Sequence, residues 1–111
     1  MRPNKYGAVK STVDGIVFDS KREARRWQEL KLLERVGKIS QLERQVTYVL
    51  APGVKIEGEK RARPPLRFTA DFRYVEGREL VVEDSKGFAD KAFRIRQHLM
   101  KFMFNIDVRI T

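Results

Sequence analysis

The stretch LRFTADFRYVEGRELVVEDSK, residues 66–86, decides the fold. Two runs rich in β-branched and aromatic residues, 66–75 and 79–84, predict β-strands joined by a tight turn. If Gly77 and Arg78 are the central residues of a type II′ turn, the strands pair antiparallel. Asp71 then lies directly opposite Asp84, with their Cβ atoms about 5 Å apart on one face of the sheet. The sequence therefore predicts a central hairpin that brings two carboxylates together.

Two facing carboxylates repel each other unless a positive charge lies between them. A divalent cation meets this need, and carboxylate oxygens favour Mg²⁺, with Mn²⁺ able to substitute. Lys86 follows Asp84 by two residues, so the strand period places its ammonium group on the same face. Such a metal activates water for phosphodiester hydrolysis, while a nearby cation stabilises the charge that develops. The alternative is that Asp71 and Asp84 are strand-end acids, paired to Lys86, Arg73 or Arg67.

Glu23 lies outside the hairpin and has two open interpretations. The segment SKRE, residues 20–23, has the spacing of a capping box, in which Glu23 reaches back to the Ser20 amide. Glu23 also shares a helix face with Trp27 and Leu30, so its carboxylate points partly inward and can join a metal site. The lone histidine, His98, is expected on the outer face of a helix, as a surface or phosphate-contacting residue.

Helices are predicted before and after the central hairpin. Asp14-Gly15 predicts an N-terminal hairpin over residues 8–18, and a helix is expected over 20–36. A strand over 45–50 and a mobile basic loop over 55–65 precede the central hairpin. A second helix over 88–104 and a half-buried strand over 106–110 follow it. The second helix is expected to pack through an apolar arc formed by Phe88, Ala92, Phe93, Ile95, Leu99, Met100 and Met103.

Length and composition limit the classes of protein. With 111 residues one domain is expected, divided into an extension over 1–19 and a core over 20–111. The absence of cysteine excludes disulfides and thiolate zinc sites, and no apolar run is long enough to cross a membrane. The N-terminus has no secretory signal pattern, so a soluble cytoplasmic protein is expected.

A net charge of +9 favours a polyanionic partner, with nucleic acid first. Basic residues cluster in the loop before the central hairpin and on the second helix. The candidate DNA-binding residues are Lys55, Lys60, Arg61, Arg63, Arg67, Lys91, Arg94 and Lys101. A surface that is merely solvated is the alternative for any single one of these side chains.

The motifs Ala70-Asp71 and Asp84-Ser85-Lys86 resemble those of the PD-(D/E)XK nuclease superfamily, with alanine at the usual proline position. The resemblance implies a restriction-endonuclease-like α/β fold: an αβββαβ core, here behind an N-terminal β-hairpin, with a mixed sheet flanked by two helices. It also implies that Asp71, Asp84 and the Ser85 carbonyl bind metal, that Lys86 assists the water, and that Glu23 is an additional acid. More narrowly, the chain looks like a family of short phage and prophage proteins.

The expected function is a Mg²⁺-dependent endodeoxyribonuclease, with branched DNA in phage replication or recombination as one candidate substrate. Holliday-junction resolvases of similar size belong to the same superfamily and act as homodimers, so a homodimer is a further expectation from the resemblance. Two alternatives stay open: a catalytically silent DNA-binding or architectural protein with the same fold, and an RNA-directed nuclease.

Overall fold

The computed structural model describes residues 9–111 and consists of a small hairpin, two helices and a four-stranded mixed sheet. The elements are β1 Ser11–Val13, β2 Ile16–Phe18, α1 Lys21–Arg35, β3 Ser40–Ala51, β4 Leu66–Glu76, β5 Glu79–Asp84, α2 Lys91–Phe104 and β6 Val108–Ile110. The strand order is β3-β4-β5-β6, with β6 parallel to β5 and the other pairs antiparallel. The predicted α/β fold, an αβββαβ core behind a hairpin, is confirmed. The beginning of the predicted 8–18 hairpin, Ala8, and the first eight residues of the 1–19 extension lie outside the described residues.

The N-terminal hairpin and α1 form where their turn and capping residues predict. Asp14 and Gly15 both have positive φ, +52° and +77°, as a two-residue turn with the strand twist requires. Ser20 is the extended N-cap of α1, and its Oγ accepts a hydrogen bond from the Glu23 backbone N–H at 3.1 Å. The observed helix agrees with the predicted range to within one residue at each end.

The central hairpin has the predicted register. Gly77 has φ +64°, Glu76 pairs with Glu79, and Phe72 pairs with Glu83. The backbone ladder ends at this pair, and one residue further on the Asp71 N–H donates to the Asp84 side chain instead. This register places the two acids of the predicted site next to each other.

Two hydrophobic clusters fill the space between the helices and the sheet. The first joins α1 to β4 and includes Trp27, Leu30, Phe72 and Tyr74. The second joins α2 to β4 and includes Phe68, Ala70, Phe93 and Met100. Since Ala70 and Phe72 belong to different clusters, the helix against which β4 packs changes at Asp71. The candidate site thus lies where the two cores meet.

Several predicted boundaries were wrong. β3 begins at Ser40 rather than at 45, because pairing with β4 extends beyond the run rich in β-branched residues. α2 begins at Lys91 rather than at 88, because the Asp90 side chain caps it by accepting from the Phe93 N–H at 2.8 Å. β6 is limited to the residues that pair with β5.

The predicted packing arc of α2 was also only partly right. Phe93 and Met100 are buried and Leu99 packs against them, but Phe88 and Ile95 are 63% and 61% exposed. Ala92 and Met103 are exposed as well. α2 is apolar around more than half of its circumference, and the sheet covers one side only. No helix within residues 9–111 has both the length and the apolarity needed to cross a bilayer.

Candidate active site

Asp71 and Asp84 contact each other at the end of the central hairpin. The Asp71 backbone N–H donates to Asp84 Oδ1 at 2.9 Å, and the Ser85 N–H donates to Asp71 Oδ2 at 2.8 Å. Asp84 is 3% exposed, whereas Asp71 is half-buried. The hairpin therefore holds two carboxylates side by side, one at the surface and one beneath it.

Lys86 supplies a positive charge beside this pair. Its Nζ lies 3.3 Å from Asp84 Oδ2 and 5.0 Å from the centre of the Phe93 ring. The backbone of this segment is fixed by Thr111, whose N–H donates to the Asp84 carbonyl and whose carbonyl accepts from the Lys86 N–H. Residues after β5 thus keep a strand-like direction, and the lysine stays on the side of the two acids as its spacing predicts.

Glu23 brings a third carboxylate from α1. Its side chain is 4% exposed, and Oε1 accepts a hydrogen bond from Gln45 Nε2 at 3.2 Å. The same Nε2 donates to Asp71 Oδ1 at 3.3 Å. The helix cap uses the Ser20 hydroxyl and the Glu23 backbone N–H, so the Glu23 carboxylate turns inward to Gln45 instead of reaching back to the Ser20 amide. Among the described residues, α1, β3 and β4 therefore meet at these two acids.

Burial and mutual repulsion make this site bind protons more tightly than isolated acids do. Burial, followed by the Asp71 charge, raises the pKa of Asp84 to about 7, although Lys86 opposes the rise. Burial, followed by Asp71 and Asp19, raises the pKa of Glu23 to about 7. Carboxyl groups with such values are typical of functional sites, where a cation or proton relieves the repulsion.

The acids border a cleft of about 460 Å³. Acidic and basic side chains both line it, and Asp84 lies buried beside it. The lining residues are Asp19, Ser20, Arg22, Glu23, Asp71, Ser85, Lys86, Gly87, Phe88 and Asp90. A larger depression of about 650 Å³ surrounds His98 on α2, but its single acid, Asp107, is paired with Lys101 at 2.9 Å. The smaller cleft is therefore the better candidate for chemistry.

The donor set suits a hard cation only in part. Within residues 9–111 no group of three or more His, Cys, Asp or Glu side chains is arranged to hold a metal ion. Mg²⁺, however, commonly takes only one or two protein carboxylates and leaves its other positions to water and phosphate. Asp71 and Asp84 satisfy that smaller requirement, and their repulsion is the electrostatic condition for cation binding.

The eight basic candidates are all exposed, but two of them are neutralised by neighbours. Arg63 forms a two-pronged pair with Glu59, at 2.9 and 2.6 Å, and Lys101 pairs with Asp107. Among the described residues no ion pair joins the other six: Lys55, Lys60, Arg61, Arg67, Lys91 and Arg94. His98 is exposed on α2, as expected.

Sequence reasoning missed three residues near the site. Gln45 contacts two of the acids, and Arg22 lines the cleft. Glu83, adjacent to Asp84, is completely buried. The Gln45 contacts span 22 and 26 residues, so local spacing contains no signal for them. Arg22 could have been noticed from the helix N-terminus that also carries Glu23.

The fold and the site together define a small basic α/β protein with an acidic cleft at the end of its central hairpin. A family model matches residues 3–111, and the chain belongs to that family, described as Protein of unknown function (DUF1064). Searches of curated proteins and of solved structures returned no match.

Proposed function

We propose that the protein is a Mg²⁺-dependent endodeoxyribonuclease that hydrolyses phosphodiester bonds in DNA. The single observation that carries the proposal is the placement of Asp71 and Lys86 on one cleft of a strongly basic protein, with Asp84 buried in contact with both. The resemblance of the same three residues to the PD-(D/E)XK motif supports it.

The acidic and basic residues of the cleft would have different roles. Asp71 and Asp84 would hold the cation, with the Ser85 carbonyl and Glu23 as further oxygen donors. When bound, the cation would lower the pKa of an attacking water and polarise the phosphate. Lys86 Nζ, near Asp84 Oδ2, would stabilise the negative charge that develops on phosphate oxygens.

DNA would be held outside the cleft by exposed cations. Lys91 is exposed at the start of α2 and follows Asp90, which lines the cleft, so it would contact a phosphate next to the one in the cleft. The basic residues of the β3–β4 connection and of α2 would add affinity that does not depend on base sequence and that falls with salt. Branched DNA as substrate and a homodimer as the active form rest on the resemblance alone.

The proposal is tested with supercoiled DNA and a four-way junction, each incubated with Mg²⁺, Mn²⁺ or EDTA. We expect metal-dependent cuts that disappear in Asp84→Ala and Lys86→Ala while DNA binding persists. Glu29→Ala and Lys31→Ala are matched controls. Glu29 and Lys31 are two residues apart, as Asp84 and Lys86 are, but they lie exposed on α1. Both control variants should cut at the wild-type rate.

A catalytically silent DNA-binding protein is the second candidate, favoured by the Asp84–Lys86 pair and by the lack of a three-ligand cluster in residues 9–111. DNA binding without any cutting, unchanged by either substitution, would establish it. Cutting of a parallel RNA substrate but not of DNA would instead assign the protein to RNA.

A further inference from the structure

The side-chain amide of Gln45 lies between two carboxylates that come from different elements. Its Nε2 donates to Glu23 Oε1 at 3.2 Å and to Asp71 Oδ1 at 3.3 Å. An NH₂ group has two donors, so one nitrogen can satisfy both oxygens at once. The amide thereby does for these two acids what a bridging cation does, because it places positive charge density between them.

The backbone of Gln45 is unusual in a way that points to this contact. Gln45 has φ +52°, in the left-handed region that side-chain-bearing residues rarely adopt within a strand. Its neighbours Arg44 and Val46 pair with Phe72 and Ala70, so Gln45 lies opposite Asp71, where β4 passes from one hydrophobic cluster to the other. Strained positions of this kind concentrate at functional sites, where surrounding structure maintains them.

We propose that Gln45 is a positioning residue whose amide occupies, in the cation-free protein, the gap between Glu23 and Asp71 in which a divalent cation would bind. The amide and the cation then compete for the same carboxylate oxygens. The inference rests on the proposed function, since it concerns the cation of that site.

Competition of this kind has a definite thermodynamic sign. The two hydrogen bonds stabilise only the cation-free state, so removing them must increase the affinity for a ligand that displaces them. Losing hydrogen bonds to charged carboxylates is expected to change the affinity about tenfold. A residue that helped to bind the cation, or that organised its ligands, would have the opposite effect when removed.

The test measures the Mn²⁺ dissociation constant by electron paramagnetic resonance of the free ion, for the full chain without DNA at pH 7.5. We expect Gln45→Ala to bind Mn²⁺ about tenfold more tightly than wild type. Gln45→Met, which keeps the side-chain length without an amide donor or a new charge, should bind Mn²⁺ as tightly as Gln45→Ala and tests the inference if the alanine variant does not fold.

Gln41→Ala is the matched control. Gln41 lies on the same strand, is exposed, and also has positive φ, at +56°. Its side chain makes no hydrogen bond to the acids of the described chain, so its removal should leave the Mn²⁺ affinity unchanged.

Each outcome separates the two proposals. Weaker or equal Mn²⁺ binding by both Gln45 variants would overturn the role of Gln45 while leaving the cation site in place. Absence of Mn²⁺ binding in wild type and in every variant would overturn the cation site and the inference together. Binding that is absent in wild type and present in Gln45→Ala would support the inference and show that the amide alone excludes the cation.

Discussion

Glu83 and Asp84 are consecutive buried acids on β5, and the structure treats them in opposite ways. Glu83 is completely buried and accepts hydrogen bonds from Arg26 Nε at 2.7 Å, Arg26 Nη2 at 3.0 Å and the Tyr74 hydroxyl at 2.6 Å. Asp84 faces the other side, where another carboxylate, Asp71, offsets the effect of its single lysine. These neighbours on β5 show how a structural acid differs from a candidate functional one. The charge of Glu83 is fully compensated by its partners, whereas the lysine beside Asp84 is opposed by a second carboxylate.

The largest effect is expected from a substitution of Asp84, the candidate functional acid of this comparison. Asp84→Asn keeps the shape of the side chain but removes its charge, so metal-dependent DNA cleavage should fall about a thousandfold or more. Initial rates of junction cleavage measure the loss, and circular dichroism checks that the variant remains folded. Near-wild-type cleavage by a folded Asp84→Asn would place the chemistry elsewhere.

The role of Glu83 as a structural acid is tested by Glu83→Ala. Removing this acid leaves the Arg26 guanidinium without its buried partner, and breaking a buried pair in this way costs about 3–5 kcal/mol of unfolding free energy. Urea denaturation measures the difference. As a control, the double variant with Arg26→Ala should lose less than the sum of the single losses, since both substitutions remove one interaction. Strict additivity would show that the pair is not coupled.

The pH dependence of stability tests the site carboxyl groups Asp84 and Glu23 without any substrate. The pKa values of Asp84 and Glu23 are raised to about 7 in the folded protein, so the folded state holds these protons more tightly than the unfolded chain. Their contribution to stability is therefore complete below about pH 4 and is lost as the pH rises through 7. The melting temperature of the metal-free protein should fall over this window, and that of Asp84→Asn should fall less. Parallel curves for both proteins would contradict the assignment.

The smallest effect is expected from an exposed acid. Glu43 pairs with Arg73 at 2.6 Å on the surface of the sheet, and such pairs contribute about 0.5 kcal/mol or less. Glu43→Ala should therefore leave the urea midpoint nearly unchanged. A loss comparable with that of Glu83→Ala would show that burial is not what separates these carboxylates.

The core of the candidate site could be predicted because it depends on local rules. One turn glycine, Gly77, determines the register that brings Asp71 beside Asp84, and the strand period, which the Thr111 contacts continue beyond β5, places Lys86. The interpretation of Glu23 remained open from sequence because helix capping and an inward carboxylate use the same position. The structure shows an inward Glu23 carboxylate that accepts from Gln45, while the helix cap is formed by the Ser20 hydroxyl and the Glu23 backbone N–H rather than by the Glu23 side chain.

The remaining features depend on contacts between distant parts of the chain. Arg26 and Glu83 are 57 residues apart, and no periodicity connects a surface helix position to a strand acid. Gln45 has a left-handed backbone within β3, a conformation that its own sequence neighbourhood does not predict. On α2, apolar residues extend around more than half of the helix, so the predicted packing arc was too wide, and the buried side is the one with Phe93 and Met100.

The position of the cleft between two hydrophobic clusters has a consequence for the order of folding. Glu23 is carried by the helix of one cluster, while Lys86 rests on Phe93 of the other. Neither half of the molecule alone can assemble the complete set of charges, so an intermediate with only one helix docked would lack the site. Refolding monitored through the cleft would then report the later of the two helix-docking events.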